Sequence, residues 1–269
     1  MNNHFYVTLP SDSSAAYYPN NTVARFVTRL PERIRLEGDY EMGLAEIIYP
    51  HTWYNVDNAD EKYWITAVIK ERPSVVLRAG HHEDGTATAV VLRSGYYEDG
   101  TAIAAALASE MLGLKFSYNE ASGRFVLTAP SMSFVMSDGL QRYLGFDLGN
   151  VPQSTSVVRR ESRQSFDVNR GLNLMYVYCD IAAHTVVGDT KTPLLRVCNV
   201  AGKHGEIVRH TYIQPHYVPV GRREFDSIEI AINNELGKPM PFQYGKSVVT
   251  LHFRRRYERP LLSNATFRA

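Results

Sequence analysis

The sequence predicts a mainly β protein, a sandwich or barrel, interrupted by an inserted α+β module. Three observations carry this. Tyr (17) and Phe (11) are abundant, and short β-branched or aromatic runs recur between Pro, Gly and Asn, as antiparallel strands do. Such runs fill both the first and the last third of the chain. The middle instead holds an alanine-rich stretch of helical period.

Each element has its own local reason. Phe5-Tyr6-Val7-Thr8-Leu9 is a short strand closed by Pro10 and the turn-rich Ser11-Asp12-Ser13-Ser14. Thr22 to Leu30 alternates apolar and polar side chains, as a half-buried strand must. Tyr40 to Tyr49 is the next strand and ends at Pro50, which has no N–H to continue a ladder. In the middle, Thr101 to Leu112 places Ile103, Leu107 and Met111 on one helix face and ends at Gly113. Lys115–Tyr118 and Arg124–Thr128 flank a glycine-containing turn and predict a hairpin. Gly139 to Phe146 predicts a second, short helix closed by Gly145. A polar, Arg-rich stretch, Gln153 to Gln164, reads as a connector. Five further strands follow at Leu174–Cys179, Leu194–Cys198, Glu206–His210, Ser227–Ile232 and Ser247–Phe253. The stretches VVGDTKTP, VAGKHG and Asn233 to Pro239 separate them as turns.

One motif is written twice. Gly80-His81-His82-Glu83-Asp84-Gly85-Thr86-Ala87 is echoed by Gly95-Tyr96-Tyr97-Glu98-Asp99-Gly100-Thr101-Ala102. Two histidines beside two carboxylates invite a metal reading. Adjacent strand residues point to opposite faces, however, so His81 and His82 cannot both reach one ion without a bend. The second copy fills the same places with tyrosines, so the element does not require imidazole. Both copies are expected to be turns, with Asp bonding nearby backbone and Gly tolerating positive φ. No metal or cofactor is expected.

At 269 residues with 44% hydrophobic side chains the chain can bury a sizeable core. Its 29 basic and 28 acidic residues leave a net charge of +1, so no global field draws it to nucleic acid or anionic lipid. Cys179 and Cys198 both sit in apolar runs and are expected to be reduced, buried thiols. The N-terminus lacks the pattern of a signal peptide, and no apolar run reaches membrane-spanning length; a soluble intracellular product is expected.

Catalytic patterns are absent: no phosphate loop, no G-x-S-x-G elbow, no H-E-x-x-H. Cys179 is expected to be inert core, and His204, His210 and His216 to occupy loop and edge positions. An enzyme is not expected. Two features remain. Tyr49-Pro50-His51-Thr52-Trp53-Tyr54-Asn55 packs aromatics into a corner after a strand. It fits a core plug and a contact surface equally, which makes Tyr49, His51, Trp53 and Tyr54 candidate interface residues. Arg159-Arg160-Glu161-Ser162-Arg163 and Arg254-Arg255-Arg256-Tyr257-Glu258-Arg259 are basic clusters in a neutral chain. A solvated connector and tail explain them, and a nucleic-acid or acidic-neighbour contact is the alternative that makes Arg254, Arg255 and Arg256 candidates.

Several segments together resemble the minor capsid (penton) protein of Polinton/Maverick elements and adintoviruses. They are FYVTLPSDSS, YPNNTVARFVTRLPERIRLEGDYEMGLAEIIYPHTWYNV, FDVNRGLNLMYVYCDI with VVGDTKTPLLRV, and FDSIEIAINNELGKPMPFQYGKSVVTLHFR. The inserted GYYEDGTAIAAAL with FVLTAPSMSFVMSDGLQRYLGF is similar to a module of these proteins. The resemblance implies a single jelly roll, with residues 1–56 and 165–256 as its halves, 57–150 as the insert, 151–164 as connector and 257–269 as tail. It implies a virion protein that forms homopentamers at the five-fold vertices of an icosahedral capsid. Its partners would be its own copies and a double jelly-roll major capsid protein, with the insert available to a host receptor. The length agrees, since a double roll needs well over one sandwich of about 100 residues. The alternative is a jelly-roll module that binds receptors or glycans.

Overall fold

The computed structural model of the protein describes residues 4–57, 63–68, 89–108, 114–129, 133–147, 157–169 and 172–256. In chain order the strands before the insert are β1 (His4–Pro10), β2 (Arg25–Arg35) and β3 (Tyr40–Pro50). The insert contributes β4 (Trp64–Val68), β5 (Ala89–Val91), helix α1 (Gly100–Ala108), β6 (Lys115–Asn119) and β7 (Arg124–Ala129). It continues with β8 (Ser133–Met136), helix α2 (Asp138–Leu144) and β9 (Val158–Glu161). After it come β10 (Leu174–Cys179), β11 (Thr185–Val187), β12 (Thr190–Thr192) and β13 (Leu194–Asn199). The last four are β14 (Ile207–Thr211), β15 (Val218–Pro219), β16 (Glu224–Asn233) and β17 (Val248–Arg255).

The chain forms two compact units, one of residues 1–53 with 172–269 and one of residues 54–171. The first is a β-sandwich. One sheet runs β1-β17-β3-β14, with β15 also on β3, and the other runs β13-β10-β16-β2. Named B to I in chain order, the eight main strands give sheets B-I-D-G and C-H-E-F. That is the jelly roll, two Greek keys wrapped into one sandwich. All its strand pairs are antiparallel, and the first strand lies on the last, from His4↔Arg254 to Pro10↔Val248. The mainly β class with an α+β insert is therefore the observed one.

Inward side chains of both sheets make the core: Phe26, Met42, Leu44, Tyr49, Met175, Ile230 and Phe253 are all buried. Strict alternation would not bury Leu44 and Ile47 together. The ladder solves this with a bulge: Thr250 faces Glu46 and Leu251 faces Leu44, leaving Ala45 extra. One added residue resets the inside–outside parity, so both side chains reach the core. In the same way Val177 faces Arg196 while Tyr178 faces Leu194, and Leu195 and Cys198 are both buried.

The insert has its own core, built around Phe125, Phe134, Leu107, Leu140 and Leu144. Helix α1 buries Ile103 and Leu107 as the spacing predicts, whereas Met111 and Gly113 lie outside the described residues. Helix α2 is capped at both ends. Ser137 Oγ accepts from the Leu140 N–H, and Gly145 sits at φ 77°. The N–H groups of Gly145 and Phe146 close onto the Arg142 and Gln141 carbonyls, a Schellman ending.

Three expectations need correction. The stretch 151–164 is not a plain connector where it is described, because Val158–Glu161 pairs with β7 as the third strand of the β6-β7-β9 sheet. It reads as a linker because an exposed edge strand keeps polar side chains. VVGDTKTP is more than a turn: it forms the β11–β12 hairpin, with Gly188 at φ 60° in the turn. The second copy of the repeated motif is a helix start, not a bare turn. Asp99 Oδ1 caps α1 by accepting from the Ala102 N–H at 2.7 Å. Gly100 is needed for space, since a methyl there would lie 2.5 Å from the Tyr118 ring.

Candidate functional site

The aromatic corner is a plug. Tyr49, His51 and Trp53 are buried at 0%, 4% and 1% exposure, so of the two uses left open by the sequence the core is the one observed. The plug clamps two loops. The Trp53 ring stacks on His51 at 3.9 Å and meets Phe242 edge-on at 5.8 Å. Tyr49 Oη accepts from the Ala201 N–H at 2.9 Å, and His51 Nδ1 lies 3.1 Å from the Ala201 carbonyl. Thr52 donates to the Tyr244 carbonyl at 2.9 Å. Backbone bonds from His51 to Glu206 and from Gly205 to His51 complete the seam. Burial holds the Tyr49 hydroxyl above its ordinary pKa and the His51 imidazole below its own. Tyr54 stands apart from these three: it begins the insert unit and is 37% exposed.

In the insert the same stretch continues as an anchor for the repeated motif. Asn55 Nδ2 donates to the Tyr97 carbonyl at 2.7 Å, and the Tyr97 N–H donates back to Asn55 Oδ1 at 2.9 Å. Val56 and Gly95 exchange backbone bonds beside them. The Gly-Tyr-Tyr of the second copy is thus scaffold. The first copy, with His81 and His82, lies outside the described residues.

Nucleophilic chemistry has no support at the thiols. Burial pushes the Cys179 thiol up to about 12 and raises that of Cys198, so neither offers a thiolate. Among the described residues no cluster of three or more His, Cys, Asp or Glu is placed to hold a metal ion. The three late histidines separate: His210 lies on edge strand β14 against Tyr49, His204 edges toward His51, and His216 is exposed elsewhere. A concavity of about 520 Å³ lies against the second sheet, lined by Tyr178, Asp180, Glu229 and Arg25, and the Arg25–Glu229 pair at 2.6 Å occupies it.

The arginine end is a different kind of surface. Arg254 is committed within the unit: it pairs with Glu41 at 2.6 Å and lies 3.5 Å over the Tyr217 ring. Tyr217 Oη in turn meets His252 Nδ1 at 2.8 Å. Arg255 and Arg256 are exposed at the end of β17. The fold brings Arg222 and Arg223 to them, because the Arg256 N–H donates to the Asp39 carbonyl and the Arg223 guanidinium pairs with Asp39 at 3.2 Å. Sequence reading missed this meeting. The doublet Arg222-Arg223 was visible, but only strand pairing tells which distant residues share an end.

Comparison with known proteins bears on the whole arrangement. No protein-family model matches the chain, and no curated protein does. Among solved structures, the mavirus penton protein matches with a TM-score of 0.50 at 10% identity, over 93% of this chain and 99% of that one. No helix among the described residues is long and apolar enough to cross a membrane. The chain therefore has the fold of a viral penton protein, a single jelly roll carrying an α+β insert between its third and fourth main strands.

Proposed function

We propose that this chain is a structural capsid protein, the penton of a Polinton/Maverick-type element, and that it acts in the virion. Five copies close each vertex, and a double jelly-roll major capsid protein forms the facets around them. The observation that carries the reading is the length of the likeness. It spans nearly all of both chains, insert included, where a shared sandwich alone would cover only the jelly roll.

The exposed apolar side chains fit a head-to-tail ring. Tyr6, 61% exposed, stands on edge strand β1, while Ile207 and Ile213, at 77% and 96%, belong to the opposite edge at β14 and the loop after it. Opposite flanks that cover each other in successive copies make a heterologous contact, which closes by rotation. Large apolar side chains left in water at both edges are what such a contact would bury.

Electron microscopy of the purified protein, alone and with the major capsid protein, tests this. Five-fold rings are expected, and Ile207→Asp with Ile213→Asp should shift them toward single subunits. A protein that stays monomeric at high concentration in both settings refutes the vertex role. Retention on a glycan array by such a monomer would favour the receptor- or glycan-binding alternative.

A further inference from the structure

We infer that the end of the sandwich formed by Arg222, Arg223, Arg255 and Arg256 is a binding surface for the phosphate backbone of a nucleic acid. The inference does not depend on the ring. Three segments far apart in sequence build the surface. The Leu36 N–H donates to the Arg223 carbonyl at 2.8 Å, and the Arg256 N–H donates to the Asp39 carbonyl at 2.7 Å. These bonds tie the loop after β2, the loop before β16 and the end of β17 into one face. Between them lies a small concavity of about 100 Å³, lined by Arg222, Arg223, Arg256 and the backbone at Gly38.

Most cations of the sandwich are already matched, and these are not. Arg25, Arg209 and Arg254 each hold a carboxylate. At this end Arg35 shares Glu224, Arg222 reaches Asp180, and Arg223 has only the exposed Asp39. Arg255 and Arg256 have no carboxylate within ion-pair distance among the described residues. The Arg255 guanidinium lies along the backbone at Gly38, where a methyl group would come within 3.1 Å of Nη2. Gly38, at φ 93°, therefore keeps the guanidinium accessible beside the concavity. Counting Arg35, Arg222, Arg223, Arg255 and Arg256 against Glu37, Asp39 and Glu224 leaves two positive charges over.

Guanidinium forks recognise phosphate oxygens in bidentate fashion, and a row of them suits a polymer of repeating charge. A second copy of this chain is a poor match. Its unpaired carboxylates, such as Glu32, Asp189 and Glu235, stand on separate segments and form no acidic face.

The test is fluorescence anisotropy of the full-length protein with a labelled single-stranded DNA oligonucleotide, titrated at several salt concentrations. Wild-type binding should weaken steeply with salt. The Arg255→Ala, Arg256→Ala double variant should lower the slope of log affinity against log salt by about two, because each lost phosphate contact removes about one counterion. Arg25→Ala with Arg209→Ala, at ion-paired sites elsewhere, should leave the slope unchanged. Both variants alter exposed side chains, and far-UV circular dichroism checks that each is folded. Equal slopes in wild type and the Arg255/Arg256 variant overturn the inference. So does tight binding of polyglutamate where DNA fails, which would make the partner an acidic protein.

Discussion

The sandwich and the insert solve the same packing problem by opposite routes. In the sandwich, neighbours come from the two ends of the chain: β1 and β3 both lie on β17, and β2 lies on β16. In the insert, the β6–β7 hairpin closes across a few residues, and β9 joins from shortly downstream. The sandwich must bring distant segments together before any of its core is buried, whereas the insert hairpin forms locally. A defect in the sandwich core is therefore shared by sheets drawn from the whole chain, and one in the insert concerns a single stretch.

The largest effects should come from breaking each core in turn. The chain has two tryptophans, and they fall one to a unit: Trp53 in the sandwich plug and Trp64 in the insert. Each is a local reporter. Phe253→Ala removes a fully buried ring that stacks on Phe5 at 4.8 Å. It should destabilise the sandwich by about 3–5 kcal/mol. In a Trp64→Phe background, urea unfolding followed by Trp53 fluorescence measures the loss. Phe125→Ala in a Trp53→Phe background is the counterpart, read by Trp64, with a cost of the same order, about 3–5 kcal/mol. If Phe253→Ala moves the Trp64 transition as far as the Trp53 transition, the two units unfold as one and the contrast fails.

Glycines sharpen the contrast at a smaller scale. Gly145 in the insert and Gly188 in the sandwich both hold positive φ, at 77° and 60°. A methyl at Gly145 would stand 2.5 Å from the Gln164 carbonyl oxygen, while one at Gly188 meets nothing within 4 Å. Gly188→Ala should therefore cost only the left-handed backbone penalty, about 1–2 kcal/mol. Gly145→Ala adds a backbone clash and a lost Schellman ending, for a total of about 2–4 kcal/mol by urea unfolding. Equal costs would mean that the Gln164 segment moves aside freely.

The same contrast governs what could be read from the residues. The eight jelly-roll strands each announced themselves by local alternation or β-branched runs, and their bounds fall within a few residues of expectation. Which strands were neighbours was not written locally; the bulges at Ala45 and Leu195 show why, since each reverses the parity that a simple reading would extend. In the insert, helix α2 was legible from Leu140 to Gly145 because its cap glycine is a local signal. Strand β9 was not, because Arg159, Arg160 and Glu161 look like a solvated run and only the partner β7 makes them a strand. The plug was legible as a feature and ambiguous as a role, because Tyr49 and Trp53 suit burial and contact alike. The arginine end was half legible for a similar reason: Arg254 looked equivalent to its neighbours, yet Glu41 and Tyr217 take it out of play.

Acid should act on the sandwich through His51, with the smallest effect of the three. Its imidazole is held below the ordinary value of 6.5, first by burial and further by His204, against the pull of the Ala201 and Gly202 carbonyls and Glu206. The sign follows from where the proton binds. Above the unfolded value neither state is charged and stability does not depend on this group. As pH falls from there toward the folded value, the unfolded chain takes up a proton that the folded one refuses, so stability is lost. His252, also lowered by burial and by its neighbours His4 and Arg254, adds a loss of the same sign. His51→Gln should therefore flatten, without abolishing, the fall in urea midpoint between about pH 7.5 and about pH 5.5. Circular dichroism is the readout of choice, because His51 stacks on Trp53 and its charge would alter the fluorescence directly. A His51→Gln protein that loses as much stability as the wild type over this range would show that the plug stays closed to protons. The acid response would then belong to His252, on the outer face of the other end of the ladder, where Tyr6 stacks on it and Tyr217 bonds it.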